Sequence, residues 1–198
     1  MSVRHFLLLS VATVAFAVPA HAQNNPRVDL SLYPLSDLFV SDGDSNAEPS
    51  FRSYTPGAAL FVRLTSHVGV EADFSHGRVH TRDLGVYGRQ STPALNVIMG
   101  NLVVTAPTRS RVRPYVTLGL GNVHVSKSDG VGITESVSVA SANIGGGAKV
   151  MFGRWGIRAD YRYVAMEALD TDRAPAFLGD NGRRAHRIAL GLVLASGR

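Results

Sequence analysis

In the stretch GRWGIRADYRYVAM, residues 153 to 166, Arg158, Asp160 and Arg162 occupy every second position, with Ile157, Ala159, Tyr161 and Tyr163 between them. Successive side chains of a β-strand point to opposite faces, so this segment predicts a strand with one charged face and one apolar face. A helix would scatter the same residues around its circumference, because its repeat is 3.6 and not 2. Whatever the chain folds into must supply two environments, one on each side of a sheet.

The same alternation recurs along the chain. RVDLSLY sets Val28, Leu30 and Leu32 against Asp29, Ser31 and Tyr33. AALFVRL sets Leu60, Val62 and Leu64 against Phe61 and Arg63, and VGVEADFS sets Val70, Ala72 and Phe74 against Glu71 and Asp73. ALNVIMGNLVV follows less cleanly, with Leu95, Val97 and Met99 in phase and Asn101 falling on their face. PYVTLGLG sets Val116, Leu118 and Leu120 against Tyr115 and Thr117. ANIGGGAKVMF sets Ile144, Val150 and Phe152 against Lys149. After the opening stretch, RIALGLVLA sets Ile188, Leu190 and Leu192 against Arg187. Eight strands are predicted, with no helical stripe among them. Their connections alternate between long and short: TSH and GRW are tight, whereas SDLFVSDGDSNAEPSFRSY and EALDTDRAPAFLGDNGRRA are long. Transmembrane barrels alternate in this way, with short periplasmic turns and longer outer loops.

The first residues point to the same compartment. MSVRHFLLLSVATVAFAVPAHA has a basic start at Arg4, an apolar run from Phe6 to Ala17, and small residues at Ala20 and Ala22. This pattern predicts a secretory signal peptide over residues 1–22, cleaved before Gln23, leaving a single barrel domain over 23–198. The run is shorter than the ~20 residues of a spanning helix. The chain has no Cys, which excludes a lipoprotein anchor and a disulfide framework. A membrane protein built from the remainder crosses with strands.

Energetics choose which face is inside. The face opposite the apolar one carries Asp29, Arg63, Glu71, Asp73, Lys149, Arg158, Asp160, Arg162 and Arg187. A soluble barrel would need an apolar interior. The inverted barrel turns the apolar face to lipid and gathers these nine residues in a narrow lumen, where the mixed signs can pair. Closure also satisfies every backbone group from a neighbouring strand, as a membrane requires. The expectation is an all-β fold: an eight-stranded antiparallel up-and-down transmembrane β-barrel. The formal net charge of +5 permits contact with anionic lipid or nucleic acid. The export signal leaves lipid as the expected partner and no nucleic acid.

RPYVTLGLGNVHV, NIGGGAKVMFGRWGIRADYRYVAM and HRIALGLVLA carry a resemblance. They resemble the final strands of the outer-membrane β-barrel family that includes the opacity porins and the barrel of outer-membrane protein A. The matching positions are Pro114, Tyr115, Gly119, Gly121, Gly145, Gly147, Arg158, Tyr161, Arg162 and Tyr163, mainly in the C-terminal half. The resemblance implies a Gram-negative outer-membrane protein in contact with lipid and lipopolysaccharide, inserted by the assembly machinery as a monomer. Host or surface ligands would meet its outer loops. It departs at the end: such barrels usually finish on an aromatic residue, whereas this sequence finishes LASGR.

Few motifs carry chemistry. His124 and Ser126, with Glu135 as the acid, have the residue types of a lipid A deacylase, so a lipid A-modifying enzyme is one alternative. A soluble secreted barrel binding a small apolar ligand is another. Asp42, Asp44, Asn46 and Glu48 alternate like calcium ligands but lack the glycine and terminal glutamate of such a loop. His76 and His80 are too far apart on an extended chain to make a metal site. No cofactor or metal is expected. Arg109, Arg111 and Arg113 fall in a short turn, whereas Arg183 and Arg184 sit at the outer end of the last strand and offer a contact to lipopolysaccharide phosphates.

Overall fold

A computed structural model describes residues 28–42, 51–78, 81–83, 89–91, 94–108, 110–128, 134–167 and 183–196. The predicted signal peptide lies outside these residues, as do Asp44, Asn46, Glu48, His80 and Arg109. The described chain is all β: β1 (Val28–Asp42), β2 (Phe51–Tyr54), β3 (Gly57–Arg63), β4 (Val68–Gly77), β5 (Thr81–Asp83), β6 (Arg89–Ser91), β7 (Ala94–Thr105), β8 (Val112–Ser128), β9 (Thr134–Phe152), β10 (Trp155–Met166) and β11 (Arg183–Ser196). Consecutive strands pair antiparallel, and β11 returns to pair with β1, so the sheet closes. β5 and β6 form a separate short hairpin between β4 and β7.

β2 and β3 are two halves of one wall strand, since both pair with β1, on either side of Thr55 and Pro56. Proline has no N–H to give a ladder. Opposite this break, β1 carries Pro34 and shifts register between Leu32 and Leu35. The ladder resumes through the Thr55 N–H, which donates to the Ser36 carbonyl at 2.7 Å. The wall is therefore the predicted eight-stranded antiparallel barrel.

Tight connections at 64–67 and 153–154, and the segment 106–111, gather at one end, with the first and last described residues. Gly153 makes the sharpest turn and takes φ +75°, a conformation open to glycine at little cost. The strand ends that flank the long connections gather at the other end.

The strands run further than the alternation predicts, mostly toward the long-connection end. β1 continues to Asp42, Phe51–Tyr54 is strand, and β8 and β9 pair as far as Ser128 and Thr134. In these extensions the polarity of the two faces exchanges. Leu38 and Val40 point inward and are buried, and so do Val123, Val125 and Val139. The outward positions between them include Asp37, Asn122, His124 and Ser138. A reading that follows an apolar outer face loses phase at this level, so these segments read as connections.

Candidate functional site

The interior is layered. Toward the short-turn end, Met151, Val193 and Ala195 pack together, with Phe61, Val103 and Tyr115 above them. The charged residues form the middle. Toward the long-connection end lies a continuous apolar cluster that includes Leu38, Leu95, Val97, Met99, Val123 and Met166.

Strand alternation delivers eight of the nine predicted charges to buried interior positions: Asp29, Glu71, Asp73, Lys149, Arg158, Asp160, Arg162 and Arg187. Arg63, the last residue of β3, is half-buried at the short-turn rim. β10 contributes Arg158, Asp160 and Arg162 from successive inward positions, and the facing strands supply their partners. Arg158 is 0% exposed and donates through Nη1 to Glu71 Oε2 at 2.5 Å and through Nη2 to Asp160 Oδ2 at 2.9 Å. Its Nε donates to the Tyr115 hydroxyl at 2.6 Å, and that hydroxyl donates in turn to Asp160 Oδ2 at 2.5 Å. Arg162 donates to Glu71 Oε1 and to Asp160 Oδ1, both at 2.7 Å, and lies 3.6 Å from Asp73. Arg187 completes the chain with a 2.6 Å bond to Asp73 Oδ1 and a 3.2 Å bond to the Ser36 hydroxyl.

Glu71, Asp73 and Asp160 thus meet Arg158, Arg162 and Arg187 in one connected cluster, three charges of each sign. Guanidinium suits this place, because its planar fork can serve several carboxylate oxygens together. Lys149 forms a second pair with Asp29 at 3.1 Å, with its ammonium 4.5 Å from the centre of the Phe61 ring. Desolvation makes such groups costly when unpaired. Their partners fix which strands must face each other.

Two tyrosines belong to the site, although alternation alone marks them only as residues of the polar face. Tyr115 links Arg158 to Asp160, and Tyr33 lies under both Arg158 and Arg187, at 5.4 and 5.1 Å from ring centre to guanidinium. Glycine makes room for them. A Cβ on Gly147 would stand 2.5 Å from the Tyr115 hydroxyl and 2.1 Å from the Ala159 carbonyl. Where the charged and apolar layers meet, a cavity of about 10 Å³ touches Asn143, Arg162, Arg187 and Met99. That is no more than one water requires.

The other candidate residues separate. His124 faces outward and bonds Ser138 of the neighbouring strand, Nδ1 to Oγ at 2.9 Å; no bond joins it to Ser126 among those described. Position 135 pairs with Lys127, on the alternate face of β9 from Ser138. The described bonds thus do not join His124 to Ser126, and the Glu135 side chain lies outside the described residues. Arg183 and Arg184, being consecutive, face opposite ways: Arg183 is buried inside and Arg184 is exposed outside. Arg111 is exposed and Arg113 half-buried at the short-turn end. No cluster of metal-ligating side chains occurs among the described residues.

The outside carries a continuous apolar band, with Leu32, Ile98, Val116, Leu118, Leu120, Ile144 and Leu192 each at least half exposed. Phe152 and Trp155 flank the 153–154 turn at one margin, 5.1 Å apart between ring centres. Tyr54, Tyr161 and Tyr163 stand toward the other. This is the arrangement of a wall in lipid with aromatic girdles, and it disposes of the soluble-barrel alternative.

Comparison with known proteins agrees. A family model described as an outer membrane protein beta-barrel domain matches residues 7–194. No curated protein is similar enough in sequence to count as a relative. Among solved structures, the barrel is similar to Neisserial surface protein A, with 15% identity over 85% of this chain and 96% of that one, and a TM-score of 0.63. It is similar also to Ail, the attachment invasion locus protein of Yersinia pestis, with 18% identity over 86% of this chain and 99% of that one, and a TM-score of 0.56. AlkL, an outer membrane protein whose structure was determined in lipid bilayers, gives 15% identity, 92% and 95% coverage, and a TM-score of 0.50. At these identities the likeness is one of fold.

Proposed function

The chain belongs to the outer-membrane β-barrel protein family, and on that premise we propose that it is a non-enzymatic surface barrel, serving adhesion or envelope integrity, whose lumen is closed to ions and solutes. Its place is the bacterial outer membrane. Residues 1–22 direct export and are removed, and the assembly machinery inserts the remainder as a monomer. The long connections face out of the cell and the short turns face the periplasm, since an even number of strands leaves both chain ends on one side.

One observation carries this reading: side chains fill the interior, with the three-plus-three charge cluster in the middle and the apolar cluster above it. A barrel of this strand number has an interior just wide enough for side chains. With transport set aside, function falls to the outer surface. Ail supplies a precedent, as it has been solved in complex with the heparin analogue sucrose octasulfate. In this chain the long connections would meet host or surface ligands, and Arg184 would meet lipopolysaccharide. The purified barrel in planar bilayers should show no steady current. Large, persistent, ion-selective channels from the monomer would overturn the closed-lumen reading.

A further inference from the structure

The exchange of faces noted in the wall is also a change of solvent. On β4, β7, β8 and β9 the outer face carries Phe74, Ile98, Leu120 and Ile144, all exposed. Further toward the long-connection end, the same face carries His76 and Arg78, Asn96, Asn122 and His124, and Ser138. The register lines four of these up across neighbouring strands: His76 opposite Asn96, Asn96 opposite His124, His124 opposite Ser138. At that level the inward residues are Leu95, Val97, Val123, Val125 and Val139, all buried. A wall with amides, imidazoles and a guanidinium outside and aliphatics inside is built for a polar surround. In hydrocarbon those outer groups would go unsatisfied at considerable cost. The row therefore stands where the barrel leaves the hydrocarbon and meets headgroups.

The row is built to donate. His76 Nδ1 donates to Asn96 Oδ1 at 2.6 Å, which leaves the Asn96 amide nitrogen to donate elsewhere, while Nε2 of the neutral His76 ring is an acceptor. His124 is held through Nδ1 by the Ser138 hydroxyl at 2.9 Å, and with that hydroxyl donating, its Nε2 carries the ring N–H. Arg78 adds a fixed positive charge, two residues beyond His76 on the same exposed face. From these four strands no carboxylate faces the row among the described side chains, and its other neighbours there are Ala94, Asn122, Ser126, Ser136 and Ala140. Just past the end of the adjacent β10, the exposed Glu167 comes to the same face opposite Ala140, to whose carbonyl the Glu167 N–H donates at 2.9 Å. The Asn96 amide and the Arg78 guanidinium, on the β4 and β7 side of the row and away from Glu167, suit a phosphate oxygen.

We propose that His76, Arg78, Asn96, His124 and Ser138 form a headgroup site on the outside of the wall. It takes a phosphate of lipopolysaccharide whose acyl chains lie along Phe74, Ile98, Leu120 and Ile144 below. The site rests on the reading that the long-connection end faces out of the cell. Lipid anchoring is part of the recognition: a phosphate is retained because its chains are already held against the band.

The test uses the full barrel in phosphatidylcholine nanodiscs, with isotope-labelled histidine and rising mole fractions of lipopolysaccharide. The His76 and His124 imidazole resonances should shift, while His67, exposed at the short-turn end, should not. Arg78→Ala with Asn96→Ala should raise the mole fraction for half-maximal shift about ten-fold, the effect of losing one charge-assisted hydrogen bond. Absence of shifts, or an unchanged half-maximal point in the double variant, would overturn the site. Equal shifts with inorganic phosphate would make it a free-anion site, and equal shifts with phosphatidylglycerol would remove the preference for lipopolysaccharide; either overturns the proposal. Failure of the orientation is distinguishable, because cysteine labelling in cells reads it separately. Inside labelling of the long connections with normal shifts would remove lipopolysaccharide as the natural ligand, and outside labelling without shifts would remove the site.

Discussion

Replacing Glu71 by Gln keeps the size and shape of the side chain and removes only its charge. Glu71 accepts from both Arg158 and Arg162 and is itself buried. The cluster would pass from three acids and three bases to one excess cation, with three guanidiniums left to share Asp160 and Asp73. Removing one partner from a buried charge set costs about 3–5 kcal/mol. With a slope of about 2 kcal/mol per M, the urea midpoint should fall by about 1.5–2.5 M. Arg158→Gln errs in the opposite sense, leaving one excess carboxylate, and it also removes the donor to the Tyr115 hydroxyl, which keeps only its bond to Asp160. The double variant restores neutrality. It should be more stable than the two single losses added together, by about 1–3 kcal/mol, the usual range for groups in one network. The assay is reversible urea unfolding of barrel folded into lipid vesicles, followed by tryptophan emission from Trp155. A Glu71→Gln midpoint equal to that of the parent, or strict additivity in the double variant, would refute the view that charge balance holds this cluster.

The outer face offers an opposite perturbation: Ala159, exposed between Ala148 and Leu190 in the register, should cost ~2–4 kcal/mol as Ala159→Arg if it lies near the bilayer midplane, read by the same unfolding assay. Gly147→Val should destabilise by about 1–3 kcal/mol through overpacking, since even a Cβ would press on Tyr115 and the Ala159 carbonyl; a neutral result would mean that the strand can move aside. Single cysteines at positions 44, 85, 129 and 172 should react with an impermeant reagent on intact cells, whereas Thr65→Cys and Arg154→Cys should not. The reverse pattern would invert the orientation.

The lower part of this barrel was legible because lipid outside and charge inside make the strongest alternation a strand can show. Arg158, Asp160 and Arg162 sit at inward positions two residues apart, and Glu71 and Asp73 repeat the pattern on β4. Their pairing across the interior was not legible. It depends on which strands lie opposite once the sheet closes, and sequence spacing carries no record of that for residues 71 and 158. For Tyr33 and Tyr115 alternation gives the face but not the role: an aromatic residue on the inner face can pack against apolar neighbours or bond a charge, and only its interior partner decides.

The upper part was misread for a reason that lies in the physics of the wall itself. On β8, Leu118 and Leu120 point out while Val123 and Val125 point in, so the apolar residues change sides without any break in the strand; on β1 the register shift between Leu32 and Leu35 turns Leu38 and Val40 inward. Both halves obey one rule, that the face in contact with the apolar phase is apolar. What changes is where that phase lies, first lipid outside and then packed side chains inside. The same rule sets the order of the layers. Charges can be buried in the lower interior because the wall there is held in place by lipid, and their pairing selects the strand register. Beyond the headgroups no lipid confines the wall, and the hydrophobic effect of water on both the wall and its core must hold the strands together. Val97, Met99, Val123 and Val139 supply the apolar area for that. A charged cluster at their level would have to pair without gaining any burial of apolar surface, so the apolar cap belongs at the end where the barrel stands in water.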